Sequence, residues 1–153
     1  RQYHPHLPIL HHDGIGEVRY GDWEGQSIAA LQSRKMWHIV QHYPSRASFP
    51  NGETMREVQA RAVNAIEELA ARHPGEMVAV VSHADLIKMI LAHFLGMHLD
   101  NFQRIIISPA SISSLVLGYG RPYVGTVNDV AHITQMELAR KRAESVEEPV
   151  REA

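Results

Sequence analysis

Met77-Val78-Ala79-Val80-Val81-Ser82-His83 decides how this chain is read. It is a short apolar, β-branched run that stops at a serine and a histidine. Pro74-Gly75 precedes it and an amphipathic stretch, Ala84 to Leu95, follows at once. An apolar run of this length, bounded in this way, predicts a buried parallel strand feeding a helix. In open α/β sheets, ligands collect beyond the carboxyl ends of such strands. His83 then stands beside the free amide groups of a helix N-terminus, which favour an anion, typically phosphate. A histidine in this place can equally be a capping or core residue.

Working outward, a glycine-punctuated segment lies upstream, Gly16-Glu17-Val18-Arg19-Tyr20-Gly21-Asp22-Trp23-Glu24-Gly25. Asn51-Gly52-Glu53-Thr54 opens a long helical pattern, and Asn128-Asp129-Val130-Ala131-His132 lies near the end. Thr54 and Glu57 have the spacing of a capping box. Met55, Val58, Ala62, Ile66 and Leu69 recur on one helical face and read as core. Ser27 to His42 reads as one helix or two short ones, capped by Ser27 and ended before Pro44. Leu99 to Arg104 reads as a short helix. Ser111 to Leu117 and Tyr123 to Asn128 flank Gly118-Tyr119-Gly120-Arg121 as a hairpin. Leu7-Pro8-Ile9-Leu10 could form an edge strand, since proline argues against a central one. The class is α/β.

In this order, from about Leu7 to His132, the segments resemble the histidine phosphatase superfamily, which includes the cofactor-dependent phosphoglycerate mutases. The family shows a Glu-x-x-x-Gly-x-x-Glu-Gly segment, a Gly-Glu helix entry, a strand ending in Ser/Ala-His, then a hairpin and an Asn-Asp-x-x-His element. The resemblance implies a three-layer fold, a mostly parallel sheet with helices on both faces. It implies catalytic roles for Glu17, as general acid, and for His83, as the second active-site histidine holding the phosphoryl group. It implies substrate contacts from Tyr20 and from the Ala84 amide. Where many relatives carry glycine or asparagine, this chain has Ala84, so a side-chain contact is lost.

Family members also open with a strand ending in Arg-His-Gly, whose histidine accepts the phosphoryl group. That string is absent from these 153 residues. Arg72-His73-Pro74-Gly75 falls between a helix and a strand, and His73 there suits a helix C-terminus before a Pro-Gly stop. The chain opens at Arg1 in mid-pattern. The expectation is therefore a partial, phosphoglycerate-mutase-like domain over 1–132 with its N-terminal part missing and the nucleophile outside it. A charged, partly helical tail is expected over 133–153. Such a piece by itself is expected to be inactive.

Composition bounds the rest. A length of 153 residues with 44% apolar content fits one domain. A formal charge of −2 leaves no basic footprint for nucleic acid. With no cysteine, disulfides and thiolate metal sites are excluded and a cytoplasmic location is permitted. No apolar run reaches membrane-spanning length. The resemblance implies a small phosphorylated metabolite as partner, with no cofactor and no metal. Exposed strand edges would invite pairing of two copies, so a homodimer is a candidate assembly.

Other readings compete. Among eleven histidines, His4, His6, His11 and His12 cluster near the start and could hold a divalent ion, although the spacing matches no zinc pattern. Asp22 and Glu24 fit solvated loop carboxylates. Trp23 and Trp37 fit packing. Arg34, Lys35 and Arg46, in the segment from Ser33 to Asn51, fit anion clamps or surface charge equally well. The function expected is phosphomonoester hydrolysis through a phosphohistidine. The alternatives are a phosphoglycerate-type mutase and a non-catalytic binding remnant.

Overall fold

A computed structural model describes residues 7–118 and 120–147, with side chains through Arg140. Among the described residues five helices run α1 (Ile28–Gln32), α2 (Lys35–His42), α3 (Met55–Arg72), α4 (Ala84–Phe94) and α5 (Ala131–Glu147). Two strands, β1 (Ile112–Val116) and β2 (Tyr123–Asp129), lie between α4 and α5. Short 3-10 turns at Asp13–Ile15, Gly21–Trp23, Pro44–Arg46 and Leu99–Arg104 punctuate the connections.

The helices begin where local chemistry permits. Ser27 Oγ accepts from the Ala30 amide and opens α1. Ser33 and Arg34 separate α1 from α2, and Pro44 prevents α2 from continuing. At α3, Thr54 Oγ1 accepts from the Glu57 amide at 3.2 Å, and Glu57 Oε2 accepts from the Thr54 amide at 2.8 Å. This is the complete capping box, which satisfies two amides that the helix itself cannot. Past the end of α4, Gly96 takes a φ of +67°, a left-handed conformation that glycine adopts without strain.

The core forms where α4 packs on α3 and on the turn at Leu99–Arg104. Val58, Leu86, Met89 and Phe102 are fully buried there. Each such side chain contributes about 1.5–3 kcal/mol relative to exposure. The stripe Met55, Val58 and Ala62 is buried as the helical spacing requires, with Ile66 packed partly against it. Trp23 sits in an aromatic cluster, stacked on Trp37 at 6.3 Å and edge-on to Phe49 at 5.2 Å. Both tryptophans are packing residues.

The sheet differs from expectation. Among the described residues the only ladder is the antiparallel β1–β2 hairpin, with Leu115 opposite Val124 and a register shift beside Ser114. Residues 76–83 have no strand pairing, and Met77 and Val81 are 100% and 89% exposed. A strand needs a neighbour for its amides and carbonyls. No described segment pairs with this one, so the expected mostly parallel sheet has no ladder here. Leu7 to Leu10 is likewise exposed and unpaired rather than an edge strand. The tail after His132 continues as α5 to Glu147, and residues 148–153 lie outside the described residues.

Candidate active site

Glu17 and His83, 66 positions apart in sequence, meet: His83 Nδ1 lies 3.3 Å from Glu17 Oε2. Two features bring them together. Ser82 Oγ donates to the Ile15 carbonyl at 2.7 Å, fastening the residue before His83 to the segment before Glu17. On the other side, the Val18 amide donates to Glu17 Oε1 at 2.9 Å, fixing one carboxylate oxygen and leaving the other toward the imidazole. The two side chains are 43% and 53% exposed. A side-chain contact this open adds little to stability, so folding does not require the convergence.

His83 also occupies the N-cap of α4 with extended backbone, φ −100° and ψ 154°, and no side-chain hydrogen bond caps that helix. The amides of its first turn have no intrahelical partners. Ala84 is the first residue of α4 and is exposed, beside the Glu17–His83 pair. This end of the helix can take a negative charge.

Tyr20 forms the neighbouring wall. Its ring packs edge-on against Phe49 at 5.0 Å. Burial pushes its phenol well above the ordinary tyrosine range. The Asp85 and Glu17 carboxylates, and a hydrogen bond to Asp85, push it further the same way. The phenol therefore stays protonated and donates. Asp85 in turn accepts from Lys88 Nζ at 3.0 Å, which places a Tyr20–Asp85–Lys88 chain next to His83 in the first turn of α4.

The remaining candidates lie elsewhere. Asp22 accepts from Asn51 Nδ2 at 3.0 Å, bracing a turn, and Glu24 is exposed. Arg34 donates to Gln26 at 2.7 Å and Arg46 lies over the Tyr43 ring at 5.7 Å. His73 pairs with Glu76 at 2.9 Å at the end of α3. Asn128 and Asp129 form a junction: Asn128 Oδ1 accepts from the Ser108 amide, and Asp129 Oδ1 accepts from the Ala131 amide at the start of α5. Of the clustered histidines, His4 and His6 lie outside the described residues. His12 accepts from the Gly14 amide at 3.0 Å and faces Glu68 at 3.5 Å. Among the described residues no group of three or more His, Cys, Asp or Glu could hold a metal ion.

One pairing near the site went unread in the sequence, where Glu53 figured only in the helix entry. Glu53 is buried, 6% exposed, and accepts from Arg61 and Arg19. Burial pushes its carboxyl up, but the hydrogen bonds from both arginines outweigh burial and hold the pKa at about 2. The signal was an arginine, Arg61, set beside the otherwise apolar Val58–Ala62–Ala65 face.

The chain as a whole has known relatives. The model of the histidine phosphatase superfamily (branch 1) matches residues 2–130, and the chain belongs to that family. Phosphoserine phosphatase 1 of Hydrogenobacter thermophilus is 25% identical over 142 residues, covering 90% of this chain and 66% of the relative. The Bacillus stearothermophilus YhfR structure superposes with a TM-score of 0.80 at 26% identity, covering 86% of this chain and 67% of that one. The alpha-ribazole phosphatase from Shigella flexneri shares the fold, with a TM-score of 0.70 at 18% identity over 81% of this chain and 62% of its own. The chain thus spans about two thirds of the length of these relatives. The architecture is mixed α/β of the phosphoglycerate-mutase type.

Proposed function

We propose that this chain is part of a phosphomonoester phosphatase that works through a phosphohistidine. Glu17 is the proton donor, His83 holds the phosphoryl group, and the nucleophilic histidine lies outside these residues. The observation that carries this is the 3.3 Å approach of Glu17 to His83 at the N-terminus of α4. One phosphoryl group set there would meet an imidazole, the first-turn amides of α4 and a carboxyl group together.

The chemistry follows from that placement. A nucleophilic imidazole nitrogen bonds to phosphorus while the ester P–O bond breaks. The Glu17 carboxyl gives its proton to the departing alkoxide. His83, as imidazolium, and the Ala84 amide bear on the phosphoryl oxygens, where negative charge must be held during transfer. Water then attacks phosphorus, the P–N bond breaks, and the Glu17 carboxylate takes the water's proton, restoring both groups. The Tyr20–Asp85–Lys88 chain borders the leaving group and contacts the rest of the substrate.

The substrate class is a small phosphorylated metabolite, as the names of the phosphoserine and alpha-ribazole phosphatases suggest. Those names also favour hydrolysis over a mutase reaction. The catalytic domain runs to His132 and a charged tail follows. The bare segment Met77 to Val81, apolar and exposed, suits an interior strand of a mostly parallel sheet whose neighbouring strand carries the nucleophile. No helix among the described residues is long and apolar enough to cross a membrane.

The test is phosphate release by the full-length protein from phosphorylated sugars, phosphoglycerates and phosphoamino acids. Glu17→Gln should lower kcat far more than it raises KM, because the proton is needed chiefly in the transition state. His83→Ala should damage both. Wild-type turnover by Glu17→Gln on an alkyl phosphate would remove Glu17 from the mechanism.

A further inference from the structure

We propose that Arg61 is a positioning residue for Glu17, holding the backbone on either side of the carboxyl group so that it reaches the leaving oxygen. This rests on the reading of Glu17 as proton donor. The Arg61 side chain is 21% exposed and its guanidinium has no free edge. Nη1 donates to the carbonyls of Gly14 and Gly16 at 2.9 Å each, and Nη2 donates to the Glu17 carbonyl at 2.9 Å. Nε and Nη2 complete a two-pronged pair with Glu53, at 2.7 and 2.9 Å.

Glu53 carries the restraint past Glu17. Its Oε2 accepts from the Arg19 amide at 3.0 Å, and its own amide donates to the Arg19 carbonyl at 2.9 Å. Residues 16–19 belong to no helix or strand, so no regular ladder fixes them. Their backbone is instead held at Gly16 and Glu17 by Arg61 and at Arg19 by Glu53. The one residue between these anchors, Val18, is buried, 3% exposed, and its amide binds Glu17 Oε1. The Glu17 side chain thus leaves a backbone pinned on both sides, toward His83.

A guanidinium suits this task and an ammonium does not. Five donors in a planar fork serve three carbonyls and a carboxylate at once, whereas lysine offers a point charge with three rotatable donors. Displacing a catalytic group by about 1 Å can cost on the order of 10²-fold in rate. Loosening the clamp should therefore harm the step that needs the Glu17 proton more than it harms phosphate capture.

The test compares two esters in the full-length protein. p-Nitrophenyl phosphate has a leaving group that departs without a proton, and glycerol phosphate has one that needs it. The quantity read is the ratio of kcat/KM for the two, which cancels any loss of folded protein. Arg61→Lys should lower the glycerol phosphate to p-nitrophenyl phosphate ratio roughly 10- to 100-fold. Glu53→Gln, which keeps Arg61, should shift it in the same direction and serves if Arg61→Lys fails to fold. Glu17→Gln is the reference. If it shifts the ratio and neither clamp variant does, Arg61 and Glu53 only support the fold and the inference is overturned. If Glu17→Gln itself leaves the ratio unchanged, the proton-donor reading falls, and this inference with it.

Discussion

Replacing Glu53 with glutamine should cost the protein about 3 kcal/mol at neutral pH, and the cost should shrink in acid. The magnitude follows from the carboxyl's environment. In the unfolded chain Glu53 titrates near its ordinary value of 4.5, and in the folded protein it is held at about 2. The drop of about 2.5 pKa units, at 1.36 kcal/mol each, is about 3 kcal/mol of preference for the folded state. A depressed carboxyl contributes stability that is fully present above the unfolded pKa. That stability is lost as pH falls from about 4.5 through about 2. Near pH 3, roughly half of it should remain. Glutamine cannot titrate and leaves Arg61 buried without its counter-charge, so the variant lacks this term at every pH. Trp23, buried and stacked on Trp37, reports unfolding by fluorescence. Urea titrations of wild type and Glu53→Gln at pH 7 and pH 3 give the two differences. A loss below about 0.5 kcal/mol at pH 7, or a loss no smaller at pH 3, would refute the reasoning.

Three other perturbations are informative. Thr54→Ala removes the capping box and should cost about 1 kcal/mol in the same urea assay, with little effect on activity. Gly52→Ala would set a Cβ against the Arg19 carbonyl and 2.8 Å from the Gly21 nitrogen. It should destabilise by about 1–3 kcal/mol and lower turnover as well, because Tyr20 lies between the displaced residues. Incubation of the full-length protein with EDTA should leave phosphate release unchanged, because the proposed phosphoryl transfer uses a histidine nucleophile, the Glu17 proton and nitrogen donors alone. Loss of activity restored by a divalent ion would instead revive a role for the clustered histidines.

What could be read from the sequence was mostly local. The α3 cap needs only Thr54 and Glu57, three residues apart, and the breaks at Pro44 and Gly96 act on their own neighbours. The apolar spacing of Met55, Val58 and Ala62 likewise named a buried face directly. The segment from Met77 to Ser82 has no strand pairing among the described residues, because pairing is a property of two segments and its own residues specify only half. His83 was singled out by its place between an apolar run and a helix, and Glu17 by family resemblance, but nothing in either residue's local context announces a partner 66 positions away. The Arg61 clamp was illegible for a related reason. Its partners are backbone carbonyls of residues 44 to 47 positions distant, and carbonyls carry no sequence signature. Only the arginine beside an alanine-rich helical face hinted at it.

The central claim is that Glu17 gives its proton to the leaving oxygen while His83 holds the phosphoryl group. It is tested most directly by the dependence of kcat/KM on leaving group. Wild type and Glu17→Gln full-length proteins would be assayed on phosphate monoesters running from alkyl alcohols to nitrophenol. For wild type, kcat/KM should change little along the series. For Glu17→Gln it should fall steeply as the leaving group becomes more basic and approach wild type at the nitrophenol end. Two parallel lines, separated by a constant factor whatever the leaving group, would contradict the assignment.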